Sequence, residues 1–291
     1  MLLKSINRAN GMPQEISGLR ELYDQYDLFL LDQFGVLHDS RHPYPHAVAA
    51  LKDLRSAGKR SVIISNSGKR RVYNAARMEG IGFENALYDD LVTSGEVAWN
   101  ILRREMSAAG TGSAIKCLFI TGDDDRSPVD GLNVQLVDAA AEADVVLISS
   151  TGGDRFPQEH YRHLLRDAAS KGVPCVCTNP DKIALVRGTR TFGAGRIAEI
   201  YEELGGEVRW LGKPFPEIYQ FACALAGNVD PARVVCVGDS VEHDIAGARD
   251  AGFDSVLVRD GIATDLGAAE IAALERRHNA FANFTMDTFA P

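Results

Sequence analysis

Residues 27–32, Asp-Leu-Phe-Leu-Leu-Asp, constrain this chain more than any other stretch: four apolar side chains in a row, closed at each end by an acid. A strand with one wet face alternates apolar and polar residues. An unbroken apolar run is buried on both faces, as in a parallel sheet covered by helices. Comparable runs return at residues 61–65, 117–121, 145–149, 174–178, 234–237 and 255–258. Helical patterns fall between them. Residues 47–57 carry Val48, Leu51 and Leu54 on one side with Gly58 as a stop, and further helices are predicted over 70–79, 95–108, 158–170 and 245–251. Strand–helix alternation along the whole chain predicts an α/β fold with parallel sheets.

There are more strands here than one compact sheet uses. The 291 residues suit one large or two modest domains. Residues 107–113, Ser-Ala-Ala-Gly-Thr-Gly-Ser, form the most flexible-looking segment, placed where the chain could pass into a second module. Two α/β modules are expected, one inserted in the other.

Charge and cysteine usage exclude several function classes. Lys plus Arg is 31 and Asp plus Glu is 40, a formal net charge of −9. A nucleic-acid binder needs a basic footprint, so no nucleic acid is expected as a partner. No stretch reaches the roughly 18 apolar residues of a membrane span. Residues 1–8 have no apolar core, so no leader and no membrane partner are expected. The five cysteines (Cys117, Cys175, Cys177, Cys223 and Cys236) are odd in number and mostly lie in apolar runs. They read as buried reduced thiols and point to a cytoplasmic protein.

Four segments concentrate chemistry, each at the carboxyl end of a predicted strand, the edge where open α/β sheets bind ligands. In Leu31-Asp32-Gln33-Phe34-Gly35, an acid ends a buried strand before a glycine turn. It is either a used carboxylate or a strand cap. Ser65-Asn66-Ser67-Gly68 offers hydroxyl, amide and backbone N–H groups to an anion, or simply caps a helix. In Gly212-Lys213-Pro214 the lysine is fixed between glycine and proline, a point charge for a phosphate or a solvated turn residue. Gly238-Asp239-Ser240 is followed by Asp244; two acids five apart after a buried strand suit Mg²⁺, a hard cation that takes oxygen ligands.

In this order and together, these segments resemble the haloacid dehalogenase superfamily of phosphohydrolases. The subclass typified by nitrophenyl-phosphatase, pyridoxal-phosphate phosphatase and a related bacterial nucleotidase is the most similar. The resemblance spans nearly the whole chain and includes Thr93-Ser94 and Thr178-Asn179-Pro180-Asp181. It implies a Rossmann-like, doubly wound parallel-sheet core of residues 1–96 and 206–291 with an α/β cap inserted at 97–205. It implies Asp32 as a nucleophile forming an aspartyl-phosphate. Ser65 with the neighbouring Asn66 amide would hold the phosphoryl oxygens, and Lys213 would neutralise both nucleophile and phosphate. Asp32, the Phe34 backbone carbonyl and Asp239 would ligate Mg²⁺, with Asp244 supporting its waters. Asn179 and Asp181 are implied as cap residues at the substrate, a small phosphorylated metabolite, and the cap as a surface for homodimers.

One position departs from the family. Its phosphatases place a second Asp two residues after the nucleophile, to protonate the leaving oxygen and then activate water. Here that position is Phe34, which cannot move a proton, and acid–base catalysis is worth roughly 10²- to 10⁴-fold. His38 and Asp39 follow closely and are the candidates to substitute. Dehalogenases of the superfamily carry an aromatic residue there but lack the Mg²⁺ loop. Three readings therefore stand: an Mg²⁺-dependent phosphatase, a phospho-ligand-binding protein with weak or lost turnover, and a hydrolase of a non-phosphate bond.

Other polar groups have plainer expectations. Lys69-Arg70-Arg71 reads as a solvated helix face, His42 and His46 as surface, and Gly122-Asp123-Asp124-Asp125 as an exposed acidic turn. His160 and His163 share a helix face with no obvious acidic partner.

Overall fold

A computed structural model describes residues 13–39, 41–110, 112–186, 189–264 and 266–291. The segment 1–8 read above for a leader, and Thr111 within 107–113, lie outside the described residues. In chain order the strands are β1 (Gln14–Glu15), β2 (Leu28–Asp32), β3 (Arg60–Ser65), β4 (Asp90–Thr93), β5 (Ile115–Ile120), β6 (Val134–Leu136) and β7 (Val145–Ile148), then β8 (Cys175–Cys177), β9 (Ile183–Val186), β10 (Thr189–Phe192), β11 (Val208–Trp210), β12 (Val234–Gly238), β13 (Asp254–Val258) and β14 (Phe284–Met286). The helices are α1 (Ala47–Ser56), α2 (Arg71–Gly80), α3 (Ser94–Ala109), α4 (Gln158–Ser170), α5 (Ala194–Glu203), α6 (Pro216–Leu225), α7 (Ala246–Ala251) and α8 (Ala268–His278).

By contact the chain divides into two compact units. One takes the described residues up to 64 with Arg77–Leu91 and Tyr219–Pro291; the other takes Ser65–Ala76 and Val92–Ile218. Residues 97, 107–113 and 205 all fall inside the second.

The larger sheet runs β1-β14-β13-β12-β2-β3-β4. Its β1/β14, β14/β13, β13/β12, β12/β2 and β2/β3 pairs are parallel. Strand β2 is buried along its whole length, with Leu28, Phe29, Leu30 and Leu31 fully inaccessible. The order steps outward from β2 to β3 and β4 on one side and from β12 to β13 and β14 on the other. β2 and β12 are therefore the switch point of a doubly wound sheet, and ligands bind outside the carboxyl ends of such strands.

The second unit has its own five-stranded parallel sheet, β11-β8-β7-β5-β6. Alternation along each strand sorts its side chains to two faces. Leu118, Ile120, Val146, Ile148, Cys175 and Cys177 pack with Tyr161, Leu165, Ile197 and Tyr201 of α4 and α5. Cys117, Leu147 and Val176 pack with Ala98 and Leu102 of α3. Thr93 starts α3 by accepting the Glu96 N–H at 3.1 Å. The β9–β10 pair is an antiparallel hairpin of its own.

The sequence missed β4, β6, β11 and β14, each of three or four residues, as well as the hairpin and helices α5, α6 and α8. Residues 241–245, left outside the predicted helix except for its first residue, form a π-helical turn that leads into α7. None of the five cysteines is in a disulfide among the described residues, and all but Cys223 are buried. Among the described residues, no helix is long and apolar enough to cross a membrane.

Candidate active site

The switch point of the larger sheet gathers three carboxylates. Asp32 ends β2, Asp239 follows β12, and Asp244 sits in the π-helical turn. One carboxylate oxygen from each lies within 4.8 Å of the others, and all three residues are buried. Among the described residues this is the one group of three or more potential metal ligands. Backbone register accounts for the first two: β2 and β12 pair with Leu31 opposite Val237, so Asp32 and, one residue past Gly238, Asp239 leave the same sheet edge. The turn after Asp239 is held by Ser240, whose hydroxyl accepts the His243 N–H at 3.2 Å. The Ser240 N–H in turn donates to Asp244 Oδ2 at 3.1 Å. π-turns of this kind are frequent at functional sites.

Two backbone approaches fix Asp239. The Ile262 N–H donates to its Oδ2 at 2.7 Å. Gly35, at φ +87°, brings its Cα so near that an added Cβ would lie 1.9 Å from the same oxygen. Only glycine fits there, for lack of space and for its left-handed backbone. Three like charges packed in a buried corner repel strongly. An all-oxygen donor set of this kind fits a hard divalent cation such as Mg²⁺. Asp32 and Asp239 would hold it and Asp244 would support it.

Phe34 is half-buried. Its ring stands 4.6 Å from the His38 imidazole, at 70°, and the Arg77 guanidinium lies 4.8 Å from its centre. Sequence reading missed Arg77, which is forty-three residues downstream and has no local signal. The two substitutes for the missing acid fare poorly. Burial, and then the charge of Arg77, pushes the His38 imidazole down to about 4, so it carries no spare proton near neutrality. Asp39 is exposed, and N–H donation from His42 and Arg41 holds its carboxyl below the usual range. At neutral pH neither stands as a proton donor.

The second unit assembles the other predicted residues. Ser65 is buried, its hydroxyl accepting the Ser67 N–H at 3.3 Å and its carbonyl accepting from the Ser94 hydroxyl at 3.3 Å. Lys213 is buried, and its N–H donates to Asn66 Oδ1 at 2.6 Å. The Asn66 Nδ2 donates to the Lys213 carbonyl at 3.2 Å and to Asp181 Oδ1 at 2.8 Å. The Asn66 carboxamide is thus spent on the lysine backbone and Asp181. Asn179 uses its oxygen to accept the Asp181 N–H at 3.0 Å, closing a turn.

Two plainer expectations are corrected. Lys69 and Arg70 are half-buried and paired, while Arg71 is exposed as expected: Lys69 meets Asp123 at 2.5 Å, and Arg70 grips Glu96 through two bonds at 3.0 and 2.9 Å. The acidic turn is exposed at Asp123 and Asp124, as expected, with Asp123 also bridged to Lys69. His163 does have an acidic partner, Glu159 one turn earlier at 3.1 Å, while His160 stacks on Phe156. His42 and His46 are exposed, as expected.

Residues 29–135 match the haloacid dehalogenase-like hydrolase profile, and residues 210–283 match a second, HAD-hydrolase-like profile. Chronophin of Mus musculus is 30% identical over 256 residues, covering 85% of this chain and 86% of that protein. The 4-nitrophenylphosphatase of Schizosaccharomyces pombe is 26% identical, covering 84% and 88%. A haloacid dehalogenase-like hydrolase from Brucella suis 1330 superposes with a TM-score of 0.81 at 27% identity, over 94% of this chain and all of that one. Sequence, fold and the carboxylates at the sheet's switch point agree, and the chain belongs to the haloacid dehalogenase-like hydrolases.

Proposed function

We propose that the protein is an Mg²⁺-dependent phosphatase that hydrolyses a small phosphorylated metabolite through an aspartyl-phosphate on Asp32. The observation that carries this reading is the buried Asp32–Asp239–Asp244 cluster, with oxygens within 4.8 Å of one another at the carboxyl edge of a parallel sheet. Phosphatase chemistry is supported by the fission yeast relative, a 4-nitrophenylphosphatase.

In this reading an Asp32 carboxylate oxygen attacks phosphorus and the P–O bond to the leaving group breaks, the alkoxide taking its proton from solvent; water then cleaves the acyl-phosphate, releasing phosphate and regenerating Asp32. Ser65 and the Asn66 backbone N–H bind the phosphoryl oxygens, because the Asn66 carboxamide is engaged elsewhere. Lys213 offsets the charge of nucleophile and phosphate. A bound Mg²⁺ would supply charge neutralisation for the transferring phosphoryl group. Its protein ligands are assigned to Asp32, Asp239 and the Phe34 carbonyl. Residues 97–205 are assigned as the cap that shapes substrate choice and offers a homodimer surface, with the protein working in the cytoplasm.

Phe34 favours a second reading, a phospho-ligand-binding protein with weak turnover, because an aromatic ring replaces the proton-transfer residue. A screen of phosphorylated metabolites with and without Mg²⁺ separates the two. Mg²⁺-dependent phosphate release supports the phosphatase. Tight binding of a phosphorylated compound with no release across the panel supports the binding protein, and halide release would point to the third, dehalogenase-type chemistry.

A further inference from the structure

The Asn66 carboxamide contacts both backbone polar groups of Lys213 at once. Its Oδ1 accepts the Lys213 N–H at 2.6 Å and its Nδ2 donates to the Lys213 carbonyl at 3.2 Å. This clamp works only with the amide one way round, since a flip would set an NH₂ against the lysine N–H. Asp181 removes that freedom. A carboxylate accepts and does not donate, so its Oδ1 at 2.8 Å selects the NH₂ end of Asn66.

Asp181 is itself anchored on both sides. Its N–H is tied to Asn179 Oδ1 at 3.0 Å, and its carbonyl accepts the Gly195 N–H at 3.0 Å near the start of α5. Gly212 lets the clamp close: it sits at φ +107°, and a Cβ there would lie 2.3 Å from Ser94 Oγ and 2.8 Å from Asn66 Oδ1. A buried lysine on a long stem acts as a fixed charge only if its backbone is fixed.

We propose that Asp181 is a positioning residue for Lys213, acting through the Asn66 carboxamide rather than on substrate. The inference rests on the reading of Lys213 as the cation at the phosphate. It replaces the cap-to-substrate role that the resemblance gave Asp181.

The test compares Asp181→Ala, Asp181→Asn, Asn66→Ala and the Asp181→Ala/Asn66→Ala double variant with the wild-type chain. Steady-state hydrolysis of p-nitrophenyl phosphate and of one alkyl phosphate is measured with Mg²⁺ present. Asp181→Ala is expected to lower kcat at least about tenfold on both substrates with KM within about twofold, and Asp181→Asn, which keeps an acceptor oxygen, to recover most of the loss. The double variant should be no slower than Asn66→Ala, because Asp181 acts through that side chain. Amide exchange followed by NMR gives a readout independent of activity. The Lys213 amide should exchange at least about tenfold faster in Asp181→Ala and stay protected in Asp181→Asn. The neighbouring Leu211 amide, bonded to the Cys177 carbonyl at 3.0 Å, should not change.

Losses that multiply in the double variant, or a KM change confined to one substrate, would overturn the positioning role. An unchanged Lys213 exchange rate in Asp181→Ala would do the same. If Asp181→Ala exposes Leu211 equally, the side chain holds the fold and the proposal is overturned. Absence of phosphatase turnover in the wild type is a failure of the functional reading, and the exchange measurement then decides the clamp by itself.

Discussion

The Phe34 ring stands edge-on to the His38 imidazole, centroids 4.6 Å apart and planes at 70°, at the position where the family's phosphatases carry a carboxylic acid. An aromatic ring therefore occupies the place of a proton-transfer group. Turnover is expected to be slow with alkyl phosphates and less impaired with p-nitrophenyl phosphate, whose leaving group barely needs a proton. Phe34→Asp should raise alkyl-phosphate turnover toward the roughly 10²-fold that acid–base catalysis supplies. The measurement is the aryl-to-alkyl ratio of kcat/KM in both proteins. A wild-type ratio near one, with no gain in the variant, removes the missing-acid explanation.

Asp32→Asn should abolish phosphatase turnover and leave the fold intact. An amide is a poor nucleophile and a weaker ligand for a hard cation, yet nearly the same size as the buried carboxylate it replaces. Phosphate release and circular dichroism on the purified variant check both halves. Turnover like that of the wild type would refute the covalent route.

Mg²⁺ should stabilise the folded chain. A ligand selective for the native state adds about 2.7 kcal/mol at a hundredfold excess over its dissociation constant. Thermal melts with Mg²⁺ and with EDTA should differ in the wild type and coincide in Asp239→Asn. A Mg²⁺-induced rise in Tm that survives in the variant would mean the cation binds elsewhere.

Gly35→Ala should cost the Mg²⁺ response as well. A Cβ at this position would lie 1.9 Å from Asp239 Oδ2, so the carboxylate must move, and the left-handed backbone adds about 1–2 kcal/mol. Gly58→Ala is the matched control, with φ +69° and nothing within 4 Å of the added atom. Its melt should drop by the backbone strain alone and still rise with Mg²⁺. Equal Mg²⁺ responses in the two variants would separate Gly35 from the metal site.

At the opposite end of β2, Asp27 pairs with the Arg233 guanidinium at 2.6 and 2.7 Å and with Lys59 at 3.2 Å. The Arg233 bonds hold its carboxyl down to about 2. A carboxyl lowered in the folded state adds stability that is full above the unfolded value near 4 and lost as pH falls through about 2. The pair is half in solvent, so Asp27→Asn should cost less than about 1 kcal/mol at neutral pH and should flatten the acid loss across that window. Urea unfolding of both proteins across the acid range measures it, and parallel acid losses would show that Asp27 contributes none of the slope.

The sequence by itself determined the α/β class, the parallel sheet built on residues 28–32, and the order of the four polar segments. Long apolar runs and glycine stops are local signals, so β2, β3, β12 and α4 are legible to within a residue or two. The short strands β4, β6, β11 and β14 carry too few residues for a period to show, and pairing with neighbours alone makes them strands. Spacing marked Asp239 and Asp244 as a cation loop and the family resemblance added Asp32, but only the fold brings residues two hundred positions apart within 4.8 Å. Tertiary structure alone decided three further things. It set Arg77 against Phe34, buried His38 so that its imidazole stays neutral, and turned the Asn66 carboxamide onto Lys213 and Asp181. Each depends on which side chain of a distant segment arrives at which atom, and hydrophobic periodicity holds no record of that.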